Sequence, residues 1–217
     1  PTLPHSIIIA DFSKNRIDTT DPISLPNLPL LPVSYNSLTE VPNISESSIT
    51  SFQASHNFIQ TINVHNFPQI ISVIDLSNNQ IDSLPDELFS LPDLLQLSVF
   101  SNNISEIPTS ISSSQLQLLN ISDNPIKSLP KLPHTLGLLI AHGCQFDTFP
   151  DTVAALNNII CIDFSNNQIK TEIPFLPRAE SLYFSGNKIS KFPQLGENIK
   201  EVDFSHNCIT TVNLTHA

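Results

Sequence analysis

Apolar residues recur along the chain in one spaced pattern, ΦxxΦxΦxxNxΦ, in which Φ is apolar and x is mostly polar. The pattern fits ten times, and its asparagine position returns every 20 to 23 residues. Within each copy the apolar residues two apart, such as Ile74 and Leu76, point to the same side of a short strand. One strand per copy, stacked in parallel, predicts a solenoid of about ten coils rather than separate domains.

The ninth position of the pattern is predicted to turn inward where the chain leaves the strand. There an amide can donate to and accept from backbone groups that would otherwise be buried and unpaired. Repeated in register, these side chains are expected to form a structural ladder, in which Cys144 is a poorer rung because a thiol is a weak donor. The ten ladder positions are Asn15, Asn36, Asn57, Asn79, Asn102, Asn124, Cys144, Asn167, Asn187 and Asn207.

The second half of each coil predicts a short, irregular outer wall. Leucines spaced by four and three in DSLPDELFSLPDL (82–94) favour a helical or 3₁₀ turn. The Leu-Pro pairs oppose a longer helix, because proline disfavours helix in the residue before it. The shorter coils, such as the one containing KSLPKLPHTL (127–136), leave room only for an extended wall.

The segments LLQLSVFSNNI (94–104), LQLLNISDNPI (116–126) and LGLLIAHGCQF (136–146) resemble the leucine-rich-repeat family, whose asparagine position also accepts Cys. The resemblance covers essentially all of residues 1–217. It implies an α/β solenoid, a horseshoe with a parallel concave β-sheet and a short 3₁₀ or extended convex side. The coil lengths and Leu-Pro pairs look most similar to intracellular members, some of them attached to phosphatases, ligases or small-GTPase regulators.

On the concave face, Ser fills the seventh position of the pattern in eight coils and Asp the fifth position in four. This Ser and Asp pattern is typical of the family, and we interpret it as structural. Bulky residues that interrupt it are candidates for contact with a partner, although packing on a loop or neutral drift would also explain them. A second, weaker cluster is Tyr35 and His56 at the eighth position. The candidate partner-binding residues are Phe100, Ile140, His142, Asp163 and Tyr183.

Composition narrows the classes of partner. The net charge is −11 and the pI is about 4.8, which argues against a nucleic-acid groove or an anionic membrane surface, since both need a positive field. No apolar run approaches the roughly 20 residues that cross a bilayer. We therefore expect a protein partner with a neutral-to-basic contact face, no nucleic acid and no membrane insertion.

The usual catalytic and cofactor motifs are missing from the sequence. Four glycines cannot build a phosphate-binding loop, and neither HxxxH nor CxxC occurs. His142 is expected to face outward and Cys144 inward, so they cannot share a metal ion. We predict no catalytic residue, no cofactor and no metal site.

These observations predict a non-catalytic protein-recognition module within a larger signalling protein that carries further domains. An odd, sparse set of cysteines favours the cytoplasm. One alternative is an extracellular or surface receptor ectodomain for a glycan or lipid, which would use the glycosylation sequons. Another is the substrate-selecting domain of an enzyme, a phosphatase or a ligase, whose catalytic domain lies elsewhere. The sequons are at Asn43, Asn103, Asn120 and Asn213.

Overall fold

The computed structural model describes Pro4, residues 6–18 and residues 28–212 of the 217-residue chain. Over this part of the chain, nine three-residue strands form one parallel sheet, ordered as in the sequence. This architecture confirms the predicted parallel-strand solenoid. The strands are β1 (Leu30–Pro32), β2 (Ser51–Gln53), β3 (Val73–Asp75), β4 (Gln96–Ser98), β5 (Leu118–Asn120), β6 (Leu138–Ile140), β7 (Cys161–Asp163), β8 (Ser181–Tyr183) and β9 (Glu201–Asp203).

Alternating burial explains why these segments are strands. In β1 to β8 the middle residue is buried and its two neighbours are partly or fully exposed. The buried residues of adjacent strands lie directly opposite each other, as Phe52, Ile74 and Leu97 do across β2, β3 and β4. Because the register has no offset, each position of the repeat pattern forms a row along the sheet.

The first of the ten coils differs from the prediction of one strand per coil, since its described residues form none. It still stacks on the second coil, where Phe12 and Lys14 donate their N–H groups to Pro32 and Ser34. Third-position N–H groups such as that of Val73 donate to the preceding coil. The backbone nitrogen of the fifth position, two residues further along the strand, also faces the preceding coil. In the second coil this nitrogen belongs to Pro32, which has no hydrogen to donate, and among the described residues the third-position N–H of Leu30 makes no bond to the first coil either, so the ladder between these two coils is incomplete.

The asparagine side chains bridge successive coils. In the Asn124 rung, Nδ2 donates to the carbonyl oxygens of Ile121 at 3.0 Å and Val99 at 2.9 Å. Oδ1 accepts the Ile104 N–H at 2.9 Å. Asn15 is exposed and donates within its own coil. The contacts of Asn124 are repeated by Asn36, Asn57, Asn79, Asn102, Asn167, Asn187 and Asn207.

Cys144 forms only part of a rung. Its Sγ donates to the Ile121 carbonyl at 3.4 Å. The N–H of Ile126, which an asparagine oxygen would accept in a full rung, instead donates to the Asn124 carbonyl at 2.8 Å, across Pro125. The chain therefore satisfies this N–H locally, with a tight turn in place of a contact between coils.

The residue before each ladder position is left-handed in all ten coils, with φ between 51° and 68°. This conformation turns the chain so that the next side chain points into the core. It strains residues other than glycine by about 1–2 kcal/mol each. The left-handed residues are Lys14, Tyr35, His56, Asn78, Ser101, Asp123, Gly143, Asn166, Gly186 and His206.

The structure of the outer wall follows coil length. Coils of 22 or 23 residues each contain one short helix, whereas the described residues of the 20-residue coils contain none. This confirms the predicted 3₁₀ turn within 82–94 and the extended wall over 127–136. The helices are three 3₁₀ segments, Val64–Asn66, Asp86–Ser90 and Thr109–Ser113, and the α-helix α1 (Asp151–Ala154).

Candidate functional site

The outward side of the sheet, called the sheet face below, carries the third, fifth and seventh positions of the coils, although Ser77, Ser122 and Ser165 at the seventh position are buried. In five coils the fifth residue is Asp or Asn, and its Oδ1 accepts the N–H of the seventh residue. These oxygens help to close the turn after the strand, so most of the acidic row has a structural role. The pairs are Asp11 with Ser13, Asp75 with Ser77, Asn120 with Ser122, Asp163 with Ser165 and Asp203 with Ser205.

Ile140 occupies this fifth position without an acceptor oxygen. The N–H of His142 instead donates to the Ser122 hydroxyl of the preceding coil, at 3.2 Å. The half-buried isoleucine thus gives up a local hydrogen bond and presents apolar surface to water. Local folding does not require an apolar residue here, which makes Ile140 a candidate for contact with a partner.

Four of the five predicted partner-binding residues lie together. Ile140 is in register with Asp163, and Asp163 with Tyr183, on strands about 4.8 Å apart. His142 follows Ile140 on the same coil, and its Nε2 is 3.4 Å from Nδ2 of Asn166. Phe100 is separate from this group.

Phe100 lies in the seventh row, two coils before His142 and roughly 10 Å from it by strand spacing, with Ser122 between them. All five predicted residues are half-buried. They therefore form one group of four and an isolated aromatic side chain rather than one continuous cluster.

Sequence reasoning missed a shallow groove of about 840 Å³ beside this group, where β5 to β9 begin. Its apolar lining includes Leu138, Ile160 and Cys161, and Ile160 is 50% exposed. Gly137 contributes no side chain between Gln117 and Ile160, and a Cβ there would lie in ordinary contact with its neighbours, at 3.6–3.9 Å. The sequence signal that could have revealed the groove is Gly137 next to Ile160, both at the second position of successive coils.

Charged groups surround the apolar part of the site. The Glu201 carboxylate accepts a hydrogen bond from the Tyr183 hydroxyl and raises the pKa of that phenol. Glu180 pairs with Lys200 at 2.6 Å on the exposed rim. Asp163 is half-buried, and its Oδ1 accepts the N–H of Ser165.

Neither thiol near the sheet face is activated. Burial raises the pKa of Cys144 to about 11. Burial, followed by the charges of Asp163 and Glu201, also raises the pKa of Cys161. Both groups are therefore neutral thiols at pH 7, whereas nucleophilic catalysis uses the thiolate. Within the described residues, no group of three or more His, Cys, Asp or Glu is arranged to hold a metal ion.

The weaker predicted cluster forms an aromatic stack away from this site. The rings of Tyr35 and His56 lie 4.1 Å apart and nearly parallel, at 12°. Lys14 Nζ, in the preceding coil, is 5.9 Å from the Tyr35 ring centroid. Tyr35 therefore packs between side chains of the two neighbouring coils, so its presence at the eighth position can be explained without a ligand.

Comparison with known proteins gives matches along most of the chain. A family model for the leucine-rich repeat matches residues 69–126. Lumican from Gallus gallus is 30% identical over 181 residues, which cover 78% of this chain and 52% of lumican. Adenylate cyclase from Schizosaccharomyces pombe is 27% identical over 221 residues, which cover 94% of this chain and 13% of the cyclase. The chain thus spans about half, or less, of the length of these relatives.

Solved structures agree on the architecture. The structure of YopM from Yersinia enterocolitica superimposes with a TM-score of 0.53 at 24% identity, covering 97% of this chain and 53% of YopM. No helix in the described part of the present chain is long and apolar enough to span a bilayer. Together with the coil-by-coil asparagine rungs, these matches identify the chain as a member of the leucine-rich-repeat family.

Proposed function

We propose that this chain is a non-catalytic recognition module that binds a protein partner on its sheet face. Leucine-rich-repeat folds are protein-interaction modules in general, and fold alone does not choose the surface. The observation that carries the choice is the interruption of the Asp and Asn row, at the fifth position, by Ile140 and Tyr183. These two residues expose apolar surface at a position where five other coils provide a structural hydrogen-bond acceptor.

Binding energy at protein interfaces is concentrated in a few aromatic and aliphatic side chains surrounded by polar groups. Tyr183 and Ile140, with Asp163 between them in register, fit that composition. His142 extends the contact along the same coil. Phe100, two coils away, is proposed as a second contact of a partner that spans several coils.

The charge of the surface favours a partner with a neutral-to-basic contact face. Asp163 and Asp203 lie in the same row as Tyr183, and Glu201 contacts the Tyr183 hydroxyl. Residues 17–126 contain 11 Asp or Glu and no Lys or Arg. Complementary positive charge would accelerate encounter more than it deepens affinity.

The proposed role is the targeting or regulatory part of a larger cytoplasmic signalling protein. The similarity to a 13% share of an adenylate cyclase supports this role, because there the similar region is a small part of a much longer enzyme. Cys144, Cys161 and Cys208 are all free thiols, which is typical of a reducing compartment.

Site-specific photo-crosslinking tests the proposed surface. A photoreactive phenylalanine analogue at Ile140 or Tyr183 should capture the same protein in host cells. The analogue at Glu87, on the exposed outer wall, should not capture it. Equal capture from both sides, or capture from neither, would contradict the proposal.

Consensus substitutions separate binding from folding. Ile140→Asn and Tyr183→Asn introduce the residue that the fold already accepts at Asn120, without a change in charge. The double variant should lose most of its partner capture while its thermal unfolding, followed by circular dichroism, stays close to that of the parent. Gln53→Asn, at the same position on β2, is the matched control and should retain capture.

A further inference from the structure

The groove beside the proposed site has a shape that favours one protruding side chain. Gly137 lies between Gln117 and Ile160 and contributes no side chain, and the Ile160 side chain borders the place of its absent Cβ at 3.9 Å. Leu138 and Ile160 provide apolar walls, and Ile160 keeps half of its surface exposed. An aliphatic side chain of a partner would cover this surface and displace water from it.

One end of the groove carries a cation without a carboxylate partner. Arg178 lines the groove, and its Nη1 donates to the amide oxygen of Asn158 at 3.4 Å. Within the described part of the chain, no Asp or Glu forms an ion pair with Arg178. The nearby Lys200 is neutralised by Glu180 at 2.6 Å. The guanidinium thus offers a fork of donors suited to a carboxylate.

We propose that the groove binds an extended segment of the protein partner in which an acidic residue lies three or four residues from an aliphatic one. The inference rests on the proposed function and identifies the feature of the partner that the groove recognises. The aliphatic side chain enters the space above Gly137, and the carboxylate pairs with Arg178.

The spacing follows from the repeat. Gly137, Ile160 and Glu180 lie in register on three successive coils, and Arg178 precedes Glu180 by two residues. Two strand spacings across the sheet and two residues along the chain separate Gly137 from Arg178 by about 12 Å. An extended chain advances about 3.3 Å per residue, so three or four residues bridge this distance. The partner therefore presents one carboxylate to the groove within a contact face that is otherwise neutral to basic.

A phage-displayed library of random 12-residue peptides, selected on the immobilised chain, provides the probe. Enriched peptides should share an acidic residue three or four positions from Leu, Ile, Val or Met. A fluorescein-labelled peptide of the enriched family should lose about tenfold in affinity with Gly137→Leu, which fills the groove. It should lose about fivefold with Arg178→Gln, which removes the charge.

Two variants control for folding and for net charge. Gly137→Ala adds only a Cβ at ordinary contact distance, so it should keep both the fold and measurable peptide binding. Lys131→Gln removes the same charge from an exposed site outside the groove and should not change affinity. Enrichment of no family, enrichment of peptides without an acid, or unchanged binding by Gly137→Leu would overturn the inference.

The two hypotheses fail differently. If Ile140→Asn with Tyr183→Asn abolishes partner capture and Gly137→Leu leaves it unchanged, the sheet face binds the partner and the groove inference is wrong. If crosslinking from the sheet face captures nothing while the groove still selects acidic-aliphatic peptides, the proposed protein interface is wrong.

Discussion

The partial rung at Cys144 lacks one contact with a carbonyl group and one contact with an N–H that a full asparagine rung makes. In the neighbouring rung, Asn124 joins two carbonyl groups and one N–H across the coils. Cys144 reaches one carbonyl, and Ile126 must donate its N–H to Asn124 within its own turn. The fold tolerates the loss because Pro125 already favours a tight turn at this point.

Restoring the amide should stabilise the molecule. Cys144→Asn offers Oδ1 to the Ile126 N–H and Nδ2 to the carbonyl groups of the two coils. We expect the free energy of unfolding to rise by about 1 kcal/mol, the net value of a hydrogen bond, as measured by urea denaturation. A loss of stability would mean that the turn at Pro125 is too rigid to release the N–H.

Removing an amide from a full rung should have the opposite effect. Asn124→Ala leaves buried carbonyl and N–H groups without partners, because the side chain is only 2% exposed. The expected loss is about 2–4 kcal/mol, well above that of a surface substitution. Equal losses in the free energy of unfolding for Asn124→Ala and Cys144→Ala would show that the two rungs stabilise the fold equally, contrary to this expectation.

The ionisation of Tyr183 tests its contact with Glu201 directly. The chain has two tyrosines and no tryptophan, so a Tyr35→Phe variant reports Tyr183 alone by absorbance at alkaline pH. Glu201 raises the pKa of Tyr183 above its ordinary value of 10.0. Glu201→Gln should therefore lower the titration midpoint, and an unchanged midpoint would show that the two groups do not interact in solution.

At the scale of the strand and its turn, the sequence pattern was sufficient for most of the fold. The strand periodicity and the outer-wall turn at Asp86–Ser90 follow from residues within one coil, and the parallel order of the strands follows from the repetition of the coils. The missing strand of the first coil does not follow in this way, because it depends on the ladder with the next coil, which is incomplete at Leu30 and Pro32. Contacts between coils require a register that one coil does not contain.

The candidate site, like the fold, was predictable from the sequence only in part. Ile140 and Tyr183 stood out because they interrupt rows visible in the sequence, and their adjacency follows from the register. The groove at Gly137 was missed because its shape depends on side chains of neighbouring coils, above all Ile160. The groove can be predicted only by comparing the second-position residues of neighbouring coils, where Gly137 lacks the side chain that Gln117 and Ile160 have.

The strand-end turn also predicts a dependence of stability on pH. Ser205, through its hydroxyl and N–H, lowers the pKa of Asp203 below its ordinary value of 3.8. The ionised carboxylate therefore favours the folded state. Its contribution is present above about pH 4 and is lost as the pH falls through the lowered pKa.

Asp203→Asn keeps an oxygen for the Ser205 N–H but cannot ionise. The stability difference between the parent and this variant, from urea midpoints between pH 7 and pH 3, should be largest above pH 4. It should shrink as the solution becomes more acidic. Asp11→Asn should behave alike, since Ser13 lowers the pKa of Asp11 in the same way. A difference that is constant with pH would exclude this role of the carboxylates.

At the scale of the whole molecule, charge is distributed unevenly along the solenoid. The formal charge of −11 equals the 11 acidic residues of segment 17–126, and the remaining acidic and basic residues balance. The later coils are joined instead by exposed ion pairs, Lys170 with Asp147, Lys191 with Glu172 and Lys200 with Glu180. Like-charge repulsion therefore acts on the early coils, and attraction between coils acts on the late ones.

Salt should consequently change the two parts of the molecule in opposite directions. Raising the ionic strength from 10 mM to 500 mM shortens the Debye length from about 30 Å to about 4 Å, which screens both effects. In a solenoid each coil contacts only its neighbours, so the changes remain local. Native-state hydrogen exchange should show greater amide protection in β2 to β4 and equal or lower protection in β7 and β8. A uniform change along the chain would mean that the coils unfold as one cooperative unit, because only then would local repulsion and local attraction be averaged over the whole molecule.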